Sequence, residues 1–167
     1  TAARAEGHAV LLTCFNRALA DWLQRAAAAA SPAPDVMSFH ELCRRFVEAS
    51  GALPSWPTDP DQAFWDQRLP ELLLAALDRL PERRYDAIVV DEGQDFRDTW
   101  WAPLLLTLRD PDHGILWVFH DDNQALFRRA DALPGGLVPV ALTRNLRNSR
   151  AIHAAVSRHY SGGAYEP

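Results

Sequence analysis

Residues Ala87–Asp95 read Ala-Ile-Val-Val-Asp-Glu-Gly-Gln-Asp: a short, unbroken apolar run with two acids directly behind it. A run of this length and β-branched content has the character of a strand buried on both faces, as in a parallel sheet. Ala9–Cys14 (AVLLTC) and Ile115–Phe119 (ILWVF) repeat the pattern. Val138–Leu142 (VPVAL) is a weaker copy, because Pro139 needs a place where no ladder donor is required. Asp35–Met37 adds a brief strand.

Helical patterns lie between these runs. Asn16 is placed to cap a helix that carries the alanine run toward Ser31-Pro32. Ser38 and Glu41 have capping-box spacing and open a helix reaching about Ala49. Residues 51–60, with Gly51, Pro54, Pro57 and Pro60, read as a loop. Trp65, Leu69, Leu72, Leu73, Ala76 and Leu80 then recur at helical spacing over about Asp61–Leu80. Another helix is expected over Asp98–Leu108, and a last one, capped by Asn148 or Ser149, to about His159. Alternating strands and helices give an α/β fold with a mainly parallel sheet.

Composition bounds the possibilities. The 167 residues suffice for one domain with a real core, and 48% apolar with 23% charged is a globular balance that argues against disorder. No apolar run reaches the roughly 18 residues of a membrane span. Two cysteines, Cys14 and Cys43, form no disulfide framework and no metal-ligand spacing, so a reducing, cytoplasmic compartment is expected. All 17 basic residues are arginine, which excludes a phosphate-loop or Schiff-base lysine within these residues. The net charge of −5 offers no global attraction for nucleic acid. Between Leu142 and Tyr165, however, Arg144, Arg147, Arg150 and Arg158 occur with no acid. That end is either a local phosphate-binding field or a solvated helix face. Six tryptophans are present; four or more are expected to pack in the core, and Trp56, in the Pro-rich loop, is the one singled out as a functional candidate. The chain starts at Thr1, not methionine, and is expected to be a piece of a longer protein.

Open parallel sheets bind ligands at the carboxyl ends of their strands. Polar clusters follow the candidate strands at that edge: Thr13-Cys14-Phe15-Asn16, Asp91-Glu92-Gly93-Gln94-Asp95, His120-Asp121-Asp122-Asn123-Gln124 and Thr143-Arg144-Asn145-Leu146-Arg147. Adjacent carboxylates on a strand tip suit magnesium-nucleotide chemistry. The first, Asp91, can hold a magnesium ion through its water shell, and the second, Glu92, can orient and deprotonate an attacking water. Gly93 is expected to let the backbone turn, and Gln94 adds a neutral hydrogen-bonding group. The plainer alternative is that the two acids only cap the following helix.

These residues resemble known motifs. Val89–Phe96 (VVDEGQDF) is similar to the Walker B motif of superfamily 1 DNA helicases of the UvrD/Rep type. Leu11–Leu19 (LLTCFNRAL) resembles motif Ia of that family, and Met37–Cys43 (MSFHELC) its Thr/Ser-Phe-His motif. Val118–Phe127 (VFHDDNQALF) resembles motif III, and Leu142–Ile152 (LTRNLRNSRAI) motif IV. The motifs come in the family's order and cover nearly the whole chain.

The resemblance implies a RecA-like P-loop NTPase-type parallel sheet flanked by helices, lacking its phosphate-loop strand. Residues 1–142 would be part of the first ATPase motor domain, and residues 143–167 would hold motif IV and the first helix leading into the second. It implies ATP and magnesium as cofactors, and single-stranded DNA and the remaining helicase domains as partners. Asp91 and Gln94 would bind the magnesium nucleotide, and Glu92 would be the general base. Gln124 would sense the γ-phosphate and Arg147 would be an arginine finger on it. Phe15, Asn16 and His40 would meet single-stranded DNA, aromatic faces stacking on bases without reading sequence. Phe15 as a core aromatic and His40 as an exposed first-turn residue are the competing assignments. Arg129 stands where the family carries a base-stacking tryptophan, and would meet a phosphate or a base face. Leu146 replaces the adenine-stacking tyrosine, and His120 the motif III glycine.

The missing Gly-Lys-Ser/Thr loop, expected upstream of Thr1, implies that the chain alone hydrolyses little ATP. Two other functions compete: a helicase-like nucleic-acid-binding or scaffold module without ATPase activity, and a metal-dependent phosphodiesterase using Asp91, Glu92, Asp121 and Asp122.

Overall fold

A computed structural model describes residues 7–53, 55–121, 133–142, 149 and 152. Strand β1 (Val10–Cys14) leads into helix α1 (Arg17–Ala27), and β2 (Asp35–Ser38) into α2 (Phe39–Ser50). A π-helical turn (Phe64–Arg68) runs straight into α3 (Leu69–Arg79). Strand β3 (Ala87–Asp91), a 3-10 turn (Gly93–Asp95), α4 (Asp98–Leu105) and β4 (Ile115–Val118) complete the series. The four strands form one all-parallel sheet in the order β2-β1-β3-β4. The protein is therefore α/β, with a parallel sheet flanked by helices.

The local chemistry of the elements is readable. Asn16 caps α1, its Oδ1 accepting the Leu19 amide at 3.1 Å. Ser38 caps α2 through the Glu41 amide at 3.4 Å. The reciprocal half of the expected capping box gives way to ion pairs, because Glu41 meets Arg44 and Arg45 at 2.9 and 2.8 Å. Gly51 ends α2 in the left-handed region (φ 63°), a conformation that a Cβ disfavours. Helix α1 stops at Ala27, short of the expected Ser31-Pro32.

The main hydrophobic cluster lies on one face of the sheet, while Val10, Cys14, Val36 and Ala87 are buried on the other. Leu11, Ile88 and Val90 meet Phe39, Leu42 and Phe46 of α2, Leu69 and Leu73 of α3, and Phe96, Trp100 and Leu104 around α4. Each such side chain contributes about 1.5–3 kcal/mol when fully buried. Trp100 and Trp101 are buried, and Trp56 and Trp65 pack against the same core half-exposed. Trp22 and Trp117 are exposed. Packing thus accounts for four of the six tryptophans, and Trp56 is one of the four.

Two expectations are corrected at the β4 side. Strand β4 forms, but Ile115, Trp117 and Phe119 are about half-exposed instead of buried. Strand β4 ends the sheet order, and its outer edge has no partner among the described residues. Val138–Leu142 forms no strand, and Val138, Val140 and Leu142 are exposed. An apolar run becomes a strand only where a neighbour supplies ladder bonds and burial. The start of the last expected helix is visible at Ser149, whose Oγ accepts the Ile152 amide at 3.4 Å; its remainder, with Arg150 and Arg158, and the preceding Arg144 lie outside the described residues. Among the described residues, no helix is long and apolar enough to cross a membrane.

Candidate functional site at the carboxyl edge of the sheet

The chain steps from β1 outward to β2, then returns to lay β3 on the other side of β1. Loops leaving β1 and β3 therefore diverge, and the crevice between those two strand tips is the switch point at which such sheets bind ligands. Cys14 and Asp91 are register partners across it, with Ser38 next in line on β2.

Asp91 is half-buried at the tip of β3, and its Oδ1 accepts the Glu92 amide at 3.1 Å. Glu92 is the one described non-glycine residue with positive φ (55°, ψ 48°). A left-handed glutamate costs about 1–3 kcal/mol, and such strain clusters at functional sites. The expected turn residue, Gly93, has a different duty. A Cβ there would lie 2.5 Å from Val118 Cγ1, while its amide donates to the Phe119 carbonyl at 2.8 Å. The turn is made by Glu92; Gly93 allows β4 to come close.

Gln94 bridges the two strand exits. Its Nε2 donates to Glu92 Oε2 at 2.5 Å and its Oε1 accepts the Asp121 amide at 3.1 Å. Burial, and then the neighbouring Glu92 charge, raise the Asp91 carboxyl above the usual carboxylate range. Burial also pushes the Cys14 thiol up to about 11, with Asp91 adding to it. A crevice this unfavourable to negative charge gains from a cation. The hard oxygen donors of Asp91 and Glu92 fit magnesium, which takes one or two carboxylates and completes its shell with water and phosphate oxygens. Among the described residues no three His, Cys, Asp or Glu side chains gather into a metal-ligand group.

Beside this crevice lies an aromatic patch. Phe15, 43% exposed, stacks on Trp100 with ring centroids 5.6 Å apart and planes at 29°. His40 meets Phe15, Trp65 and Trp100 edge-on at 5.8, 5.5 and 4.8 Å. Its Nε2 is buried with no hydrogen-bond partner among the described residues. Burial lowers the His40 pKa against the opposing pull of a Trp65 backbone hydrogen bond, so the ring is neutral at pH 7. Phe15 is thus neither a core aromatic nor an isolated surface ring, and His40 is largely covered, not exposed. Asn16 is exposed, with its side-chain oxygen committed to the α1 cap.

Asp91, Glu92 and Gln94 are brought together, and Phe15, Asn16 and His40 form a second group on the same edge. Gln124, Arg129, Arg147 and Asp122 lie outside the described residues. Asp66, Pro70, Arg97 and Trp100 support the aromatic group although no motif marks them; Pro70 inside a helical pattern is their one signal in the sequence. An open cleft of about 290 Å³ lined by Asp66, Gln67, Arg97, Asp98 and Thr99 includes neither Asp91 nor Glu92. No protein-family model matches the chain, and no curated protein matches it significantly.

Proposed function

We propose that the chain is part of the first, RecA-like motor domain of an ATP-dependent helicase or translocase similar to the UvrD/Rep type, acting on single-stranded DNA in the cytoplasm. The observation that carries this reading is the left-handed Glu92 beside Asp91 at the switch point, held by Gln94. Asp91, with Glu92 beside it, would hold magnesium, which supplies charge neutralisation on the phosphates of ATP. Glu92 takes the proton of the attacking water, and Gln94 fixes where that carboxylate points. On the motif resemblance, Gln124 senses the γ-phosphate and Arg147 stabilises its charge. The phosphate loop and the second motor domain come from the rest of the parent protein, so the chain alone turns over negligible ATP.

Phe15 offers ring surface to unstacked bases, the largely covered His40 packs edge-on against it at the rim of the patch, Asn16 lies beside them, and Arg129 joins them on the motif resemblance. A second reading, a nucleic-acid-binding module without ATPase activity, is favoured by the same aromatic patch. Glu92→Gln in the parent protein separates the two. Loss of roughly 100-fold or more in DNA-stimulated ATP hydrolysis, with oligonucleotide affinity retained, is expected for a general base. Undiminished turnover would overturn the assignment of Glu92, and a parent protein with no ATPase activity would favour the binding module.

A further inference from the structure

In an α-helix the carbonyl of residue 66 is directed at the amide of residue 70. Residue 70 is Pro70, which has no amide hydrogen and whose ring crowds that carbonyl. The helical run over residues 62–79 opens at this point into the π-helical turn, with the Leu69 amide reaching back to the Phe64 carbonyl. The Asp66 carbonyl is met from outside the helix, by Thr99 Oγ1 at 3.0 Å and Trp100 Nε1 at 3.2 Å. Asp66 is buried, and its carboxylate receives Arg97 Nε at 2.6 Å and Gln62 Nε2 at 2.9 Å. One residue therefore grips the start of α4 with both its backbone and its side chain.

What it grips is the base of the aromatic patch. Trp100 is 1% exposed and stacks on Phe39 at 4.9 Å and 18° on one side, with Phe15 outward of it. A bond to the indole N–H fixes the rotation of that ring, and so the plane on which Phe15 rests. We propose that Pro70 is a positioning residue for nucleic-acid binding: by withholding an amide from Asp66 it leaves that carbonyl to seat Trp100 beneath Phe15. π-Turns of this kind occur frequently at functional sites, and a preorganised ring costs less to immobilise on binding. The inference rests on the single-stranded nucleic-acid reading of Phe15 and His40.

The test is binding of a labelled oligothymidylate to the chain, read by anisotropy, together with thermal unfolding and the exchange rate of the Trp100 indole N–H. Pro70→Ala returns an amide to the helix and improves its propensity, so a purely structural role for Pro70 predicts unimpaired binding. The positioning role predicts an unfolding midpoint equal to or above that of the unaltered chain. It also predicts faster indole exchange and affinity weakened about tenfold, within the range of one lost base stack. Trp100→Phe keeps a ring, lacks the N–H, and is expected to weaken binding similarly; this variant decides the matter if Pro70→Ala does not fold. Binding unchanged in these variants while Phe15→Ala loses it overturns the positioning role and leaves the nucleic-acid reading intact. An unaltered chain that does not bind, or binding indifferent to Phe15→Ala, overturns that reading and the inference with it.

Discussion

The Gln94 side chain carries the Glu92 carboxylate on one end and the Asp121 backbone amide on the other. A single amide group thereby ties the tip of β3 to the segment leaving β4. It holds the carboxylate of a residue whose own backbone is left-handed. The sheet sets the two acids side by side, and Gln94 sets the aim of one of them.

Glu92 offers a test of strain that separates backbone from side chain. Glycine replacing an ordinary residue in a regular conformation costs stability relative to alanine; at a left-handed position the order reverses. Glu92→Gly is expected to be more stable than Glu92→Ala by about 1 kcal/mol, since both lose the same carboxylate. Urea unfolding midpoints measure this. Alanine matching or exceeding glycine would show that the residue is relaxed.

Gly93 makes the opposite prediction. Any Cβ at this position runs into Val118, a β-branched side chain with little rotamer freedom. Gly93→Ala is expected to destabilise the chain by about 1–3 kcal/mol. A midpoint as high as that of the unaltered protein would mean that β4 moves aside freely.

His40 predicts a pH dependence. Its folded pKa lies below the unfolded value, chiefly through burial, with Asp66 raising it and Arg97 lowering it more weakly. The unfolded chain therefore takes up its proton first as the pH falls. Stability from the neutral ring is complete above the ordinary histidine pKa of about 6.5 and declines as the pH drops toward the folded value. His40→Phe should remove that part of the decline. The measurement is the difference between the two unfolding midpoints from pH 7.5 down to 5, and a constant difference would contradict the assignment.

Much of this was legible in advance. Strands β1 and β3 stood out because burial on both faces demands unbroken apolar runs, and α1 and α2 because Asn16 and Ser38 cap them. Other features were hidden for physical reasons. The spacing of Trp65, Leu69, Leu72 and Leu73 continues through the π-turn, so periodicity cannot register the bond that Pro70 removes. A glutamate carries no propensity marking it as left-handed, and the glycine beside it drew the turn assignment. Ile115, Trp117 and Val138–Leu142 have the composition of buried strands, yet composition states a preference and not whether a neighbour is present. Trp100 read only as core, since its place under Phe15 depends on contacts far apart in the chain.

In the proposed function, unstacked bases lie on the patch beside the carboxylate crevice. Ultraviolet cross-linking of a bound oligothymidylate, followed by mapping of the adducts by mass spectrometry, tests this most directly. Adducts concentrated on Phe15 and the segment around it, and lost when unlabelled single strand competes, are the predicted result. Adducts confined to peptides remote from both residues would contradict it.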